Sequence, residues 1–441
     1  MLRRHAALRF RNRCSPVAAS VALAALLVGV SACGSDGNGG GSPSVGGGPQ
    51  IDPSTPGTEA GAGGAAGSSG SGGTNAGSAG KAGDFSAPMC DPAAHEVPAI
   101  ELPNPLISVG MAVTASSGVN MPERLVDGSY GSGSVSFGAP TADAPSWVAF
   151  PLEAELERLL LVWADSGSTS PYNDTVGAPA AYSIETSADS TDGEDGTWEP
   201  VVNVEANAVH ARGHSFDVAG KTWVRFVAEA VPEGASNVVL TEIALYDVSA
   251  SGAELPQDTW AFLGDSITQG AFGRNLAMGS GFDSQLNSLH EAFMPAMING
   301  GIGGEYARDG ANRLAEFLEL NADFKYIGIA YGTNDSWGNK QPASFEATLR
   351  QIIEAVLDAG RVPVLARIPF ATVQHDTLPA WNEVIDRLST AYELPCGPDL
   401  YGWFRDHPED LSADGVHPRN TGYAAINRLW AEAASTLYVD P

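Results

Sequence analysis

Positive charge is scarce in this chain. Against 52 Asp and Glu it carries 23 Lys and Arg, a formal balance of −29 at neutral pH. Neutralising a phosphate backbone needs a basic face, so nucleic acid is excluded as a partner. The surplus of acid serves solubility, and it also favours neutral ligands over anionic ones. Cysteine is scarce as well: Cys14, Cys33, Cys90 and Cys396. None has a partner at finger-like spacing, and no His-Glu-x-x-His sequence occurs, so no metal ligand set is expected. His210 and His214 are four apart, but in a stretch that reads as strand, where that spacing does not define a face. The glycines from Gly300 to Gly304 are followed by no Gly-Lys-Ser/Thr and make no phosphate loop. Aromatic residues are missing altogether between Cys33 and Asp84.

The first 32 residues read as an address. Arg3, Arg4, Arg9, Arg11 and Arg13 form a basic start without an acid, and Val17 to Val30 is an apolar run too short to span a bilayer. It ends in Val30-Ser31-Ala32-Cys33, which resembles a bacterial lipobox. That resemblance implies a signal segment over 1–32, a lipid on Cys33 as the only tie to a membrane, and an exported protein of the cell envelope. From 33 to 88 the Gly, Ser, Ala, Thr, Asn and Pro cannot bury enough surface to offset ordering entropy. This segment is expected to be a disordered tether, about 50 residues spanning roughly 40 Å. Cys90 and Cys396 remain as an even pair, and in an oxidising compartment a bridge between them is one outcome.

Residues 89–252 show short apolar runs between Gly, Asp, Ser and Pro clusters. Strands are predicted at 147–150, 159–163, 182–184, 223–227, 238–240 and 241–246, with no helical period beyond two turns. That is the signature of an all-β sandwich. From 256 to 441 the pattern becomes alternation. Strands are predicted at 260–263, 296–298, 324–330 and 362–368, and helices at 312–320, 344–359 and 421–437. Phe345, Leu349, Ile352, Ile353, Val356 and Leu357 share one face at a 3.6-residue period. Apolar strands alternating with helices imply a parallel sheet covered on both faces, and ligands bind at the carboxyl ends of such strands.

Four short motifs fall where that rule points. Gly264-Asp265-Ser266-Ile267-Thr268 follows the first strand and Asn299-Gly300-Gly301-Ile302-Gly303-Gly304 the second. Gly332-Thr333-Asn334-Asp335 follows the third, and Asp414-Gly415-Val416-His417-Pro418 precedes the last helix. Taken singly, Ser266 and Asn334 also suit helix caps, and His417 suits an ordinary turn. Together the residues suit acyl transfer. A serine hydroxyl needs a base beside it, and an imidazole titrates near neutrality. An acid three residues before the histidine can fix its tautomer, and preset N–H donors can stabilise a developing oxyanion. No Gly-x-Ser-x-Gly elbow is present, and the serine lies near the start of its domain.

In this order the blocks resemble the SGNH/GDSL hydrolase family, named for its Ser, Gly, Asn and His, over roughly Thr259 to Leu437. The resemblance implies a three-layer α/β/α domain. It makes Ser266 the nucleophile and His417 the base, with Asp414 supporting it. Donors from Ser266 N–H, Gly304 N–H and the Asn334 amide would form the oxyanion hole. Gly304 is preferred in the second block because Glu305 follows it, with Gly301 and Gly303 as alternatives. No metal or cofactor is called for.

The β-rich part has its own resemblance. Pro122 to Gly128, Ser146-Trp147-Val148, Tyr182 to Ser187, Gly196-Thr197-Trp198 and Thr241-Glu242-Ile243 are similar to the discoidin, or galactose-binding-like, jelly-roll sandwich. In that family the loops at one end often bind sugar, and Tyr130 or Tyr172 would suit stacking on a sugar face. The sandwich equally suits a purely structural part in shaping the hydrolase cleft. Asn173-Asp174-Thr175 matches a glycosylation acceptor that a bacterial lipoprotein would rarely use. A sandwich beside an SGNH domain is similar to bacterial esterases that remove acetyl groups from polysaccharides, so acetylated carbohydrate is the expected substrate. The rivals are a lipase or lysophospholipase on the same fold, and a glycan-binding surface protein with a vestigial hydrolase domain.

Overall fold

The computed structural model of the protein describes residues 97–128, 133–165, 177–273, 281–337, 340–373 and 376–441. The leader, the tether, Cys33, Cys90, Tyr130, Tyr172 and the Asn173 sequon lie outside the described residues. Cys396 is disulfide-bonded.

Among the described residues nine strands come first. They are β1 Thr114–Ala115, β2 Val135–Gly138, β3 Ser146–Pro151, β4 Arg158–Asp165, β5 Ala181–Ser187, β6 Glu199–Val204, β7 Ala211–Asp217, β8 Trp223–Ala230 and β9 Val238–Asp247. They form two antiparallel sheets, ordered β1-β3-β8-β5-β6 and β2-β9-β4-β7. The two runs expected at 238–240 and 241–246 are one strand, β9, because its residues pair on without a turn along β4. Apolar residues of both sheets meet in one core. There Trp163 of β4 lies 5.2 Å from Tyr182 of β5 and 6.0 Å from Phe226 of β8, centroid to centroid. Such ring pairs add to the burial of the rings themselves.

The alternating part follows: β10 Thr259–Gly264, α1 Ser266–Ala271, α2 Phe282–Leu289, β11 Ala296–Gly301, α3 Ala307–Leu320, β12 Tyr326–Ala330, α4 Pro342–Asp358, β13 Val362–Leu365, α5 Leu378–Ala391, α6 Leu400–Asp406 and α7 Asn420–Ser435. Its four strands are parallel in the order β11-β10-β12-β13. Side-chain alternation divides β10 cleanly. Ala261 and Leu263 join a core with α3, α4 and α5, whereas Trp260 and Phe262 join another with α1, α2, α6 and α7. Helices therefore cover both faces, which makes a three-layer α/β/α arrangement. The last sheet strand stops at Leu365, short of the expected 368, because Ile368 turns its N–H and C=O to the Asn382 side chain instead of a ladder.

The two parts share packing. Leu159, Leu161 and Trp163 of β4 face the antiparallel core, while Leu160, Val162 and Ala164 join the core of α3, α4 and β12. Burial on both faces explains why β4 reads as a continuous apolar run. Gly213 of β7 has no side chain because a Cβ there would stand 2.6 Å from the Phe324 ring. Beside it Ser215 Oγ donates to Asp323 and accepts from Arg158.

Candidate active site

All four motifs meet at the carboxyl ends of the parallel strands. β10 ends at Gly264, a glycine because a Cβ there would stand 2.1 Å from Thr268 Oγ1. Asp265 then caps α1, its Oδ1 accepting from Ile267 N–H at 2.9 Å. The cap is thus the aspartate, and Ser266 opens the helix as its first residue. A first helical residue has no intrahelical acceptor for its N–H.

Ser266 Oγ lies 2.9 Å from His417 Nε2, across 151 residues of sequence. On the other side of the ring, His417 Nδ1 lies 2.7 Å from Asp414 Oδ2. A tight turn presets that pair. Asp414 Oδ1 accepts from Ser412 Oγ, Val416 N–H and His417 N–H. Gly415 closes the turn at φ 72°, a left-handed conformation natural to glycine, and a Cβ there would meet Thr372 Oγ1. Desolvation pulls the Asp414 carboxyl upward, but the bonds from Val416, His417 and Ser412 outweigh it and hold it well below the usual carboxylate range. It therefore stays ionised, and a carboxylate there favours the tautomer with the proton on Nδ1 and a free electron pair on Nε2 facing Ser266.

Gly304 adopts φ 81° at the end of the second block, and among the described residues its N–H takes no backbone acceptor. A Cβ built on Gly303 would lie 3.8 Å from Ser266 Cβ, so this loop borders the serine. The Asn334 amide donates to Glu305 C=O at 2.8 Å, tying the third block to the second. Gly301, by contrast, is spent on structure. Its N–H donates to Asn299 Oδ1, and a Cβ on it would strike Gln269 N.

Sequence reasoning missed what holds this loop. Glu305 forms two bonds with Arg313, Nε to Oε1 and Nη2 to Oε2, each at 2.8 Å. Tyr331 Oη donates to Glu305 at 2.7 Å, and Arg313 also reaches Gly300 C=O at 2.6 Å. Burial raises Tyr331 well above the usual phenol range, so it keeps the proton it donates. Asp335 accepts from Ala307 N–H at the head of α3, where a helix N-terminus favours negative charge. Only the acid after Gly304 hinted at this support.

His210 and His214 are not brought to this site. His214 faces Tyr182 Oη at 2.7 Å within the antiparallel part, and burial lowers it to about 3.

A hydroxyl, an imidazole and a carboxylate in line, beside a glycine loop and an amide at the ends of a parallel sheet, define a serine-hydrolase arrangement. Residues 262–425 match the model described as GDSL-like Lipase/Acylhydrolase family, and the similarity supports a hydrolase enzyme. Over 181 residues the chain is 26% identical to thioesterase 1/protease 1/lysophospholipase L1 of Escherichia coli K12, covering 41% of this chain and 85% of that protein. Among solved structures it is similar to a lipase/acylhydrolase from Enterococcus faecalis, with 24% identity and a TM-score of 0.34 over 40% of this chain and 95% of that one. It is also similar to the acetylxylan esterase Axe2 from Geobacillus stearothermophilus, with 22% identity and a TM-score of 0.34 over 41% of this chain and 94% of that one.

Proposed function

We propose that the protein is an exported serine esterase that removes O-acetyl groups from carbohydrate through an acyl-enzyme on Ser266. The observation that carries the reading is the line Ser266 Oγ, His417 and Asp414, with separations of 2.9 and 2.7 Å.

In the proposed mechanism His417 Nε2 takes the Ser266 proton as Oγ attacks the ester carbonyl. The oxyanion that forms accepts from Ser266 N–H, Gly304 N–H and the Asn334 amide. Collapse breaks the bond to the alcohol oxygen, and His417 returns the proton to that leaving group. Water then repeats the sequence on the acyl-serine, giving the acid and free Ser266. Asp414 stays ionised throughout and stabilises the imidazolium.

Carbohydrate as the substrate rests on sequence similarity of the β-rich part to galactose-binding-like modules, joined to a hydrolase. That is an argument by analogy of fold, and the site chemistry itself accepts any unhindered ester. Residues 89–252 would be that module and 256–441 the hydrolase. Export rests on the basic and apolar start and on Cys33, which would carry lipid after a tether over 33–88.

The test is acetate release from a panel of acetylated glycans, run beside nitrophenyl esters of increasing acyl length. Release lost in Ser266→Ala and a preference for acetyl support the reading. A preference for long acyl chains would replace it with a lipase or lysophospholipase. No turnover and no labelling by a fluorophosphonate would leave a binding protein.

A further inference from the structure

We propose that Asp265 is a positioning residue for the nucleophile, fastening the Ser266 turn to α1 through Oδ1 and to the neighbouring strand ends through one water held at Oδ2. The inference rests on the esterase reading of Ser266.

The two carboxyl oxygens have different surroundings. Oδ1 caps α1 at 2.9 Å from Ile267 N–H. Oδ2 lies in a residue only 1% exposed, with the Thr333 hydroxyl beside the carboxyl but no hydrogen bond of good geometry reaching Oδ2 itself. An orphaned oxygen at such depth is costly unless something fills its bonding capacity. The oxygen's residue lines a cavity at the carboxyl ends of β10, β12 and β13, with Thr268, Tyr331, Thr333, Arg367 and Trp430 among the walls. That cavity has room for about one water. The hydroxyl-bearing Thr268 and Thr333 supply the further polar partners that a buried water needs.

The proton on this carboxyl follows from the same setting. Burial, chiefly, and the nearby Asp335 charge push Asp265 up to about 7, against the pull of Ile267 N–H, His417 and the Thr333 side chain. The titratable groups around it come from every neighbouring element: Asp335 and Tyr331 after β12, His417 and Tyr423 around the start of α7, and Arg367 after β13. Arg367 is already committed to Asp386 and Asp399. In its neutral form the Asp265 carboxyl donates its proton to the water. Ionised, it places a negative charge one residue from the serine whose oxyanion the site must stabilise. Activity should therefore fall as pH rises through the ionisation of this group.

The measurement is kcat/KM for a short-chain ester from about pH 5.5 to about pH 9, with wild type, Asp265→Asn and Asp265→Ala. Asp265→Asn keeps the cap and a second polar group but cannot ionise. Wild type should lose activity on the order of tenfold above about pH 7. Asp265→Ala should lose about 10- to 100-fold in kcat across the whole range with KM little changed. Asp265→Asn should recover most of that loss and should lack the alkaline decline. An Asn variant that declines as wild type does, or an Ala variant equal to wild type, overturns the proposal. Should Asp265→Asn not fold, infrared difference spectra of an otherwise native Asp258→Asn background decide. A protonated-carboxyl band that disappears over the same pH range supports the proposal, and its absence overturns it. A wild type inactive at every pH instead removes the esterase reading itself.

Discussion

Ser435 Oγ stands 2.9 Å from His290 Nε2, the same separation as between Ser266 and His417. His290 Nδ1 in turn meets Asp440 Oδ1 at 2.9 Å. Among the described residues the protein thus carries two Ser-His-Asp lines, and distance does not tell them apart. Surroundings do. Ser435 is the last residue of α7, where backbone N–H groups are spent on the helix ladder. Ser266 opens a helix beside a glycine loop and an amide. A fluorophosphonate should therefore label wild type and Ser435→Ala equally and leave Ser266→Ala unlabelled, as read by intact-protein mass.

Under the proposed mechanism, the oxyanion donors and the carboxylate should separate kinetically. Asn334→Ala is expected to lower kcat by about 10²–10³-fold with a small change in KM. Asp414→Asn, which permits the wrong imidazole tautomer, should cost about 10³–10⁴-fold. Steady-state kinetics on one short-chain ester checks both, and equal losses would contradict the separate roles.

Arg313→Met would leave the Glu305 carboxylate, whose side chain is 12% exposed, without its cation. Breaking such a pair costs about 3–5 kcal/mol. The melting temperature should drop, and kcat should fall with it because Gly304 loses its anchor. Thermal unfolding and kinetics on the same preparation test this. An unchanged kcat would mean that the network holds α3 and not the loop.

Asp258 gives a prediction about pH. It is fully buried, accepts from Tyr438 Oη at 2.6 Å, and is pushed up to about 7 by desolvation. A raised carboxyl binds its proton more tightly folded than unfolded. The stability it contributes is complete below the unfolded value near 4 and is lost as pH climbs to about 7. Asp258→Asn, which never ionises, should match wild type near pH 3 and be more stable by on the order of 2–4 kcal/mol near pH 8. Chemical denaturation at the two pH values measures the gap, and a gap that closes with rising pH would contradict it.

The four motif blocks were legible because each depends on a few residues adjacent in sequence. A glycine at positive φ or a turn that hands an acid to a histidine leaves a local trace. The Glu305–Arg313–Tyr331 network leaves none beyond the acid after Gly304, since its members lie 8 and 26 residues apart and only folding brings them together. The fold shows the same division. β4, buried on both faces, is an unbroken apolar run that anyone would read as a strand. β6 contains Pro200 and is mostly exposed, and β7 alternates polar with apolar, so neither stood out. α1 is six residues with Gly270 inside, too short for any periodicity. Gly270 is there because a Cβ would strike the Tyr423 ring, which is again a long-range reason.

Gly213→Ala should destabilise the whole described unit, because its Cβ would press on the Phe324 ring. Overpacking of this kind costs about 1–3 kcal/mol. Calorimetry should show a single transition moved to lower temperature. Two separated transitions would mean that the antiparallel and parallel parts melt independently.

Because one side of β4 belongs to the antiparallel half and the other to the hydrolase half, the molecule has no natural seam. A gene cut between residues 252 and 256 would yield two proteins, each wearing a strip of leucine, valine or isoleucine on its outside. Such surfaces clump in water. Evolution, like the bench scientist, must therefore inherit the two halves together.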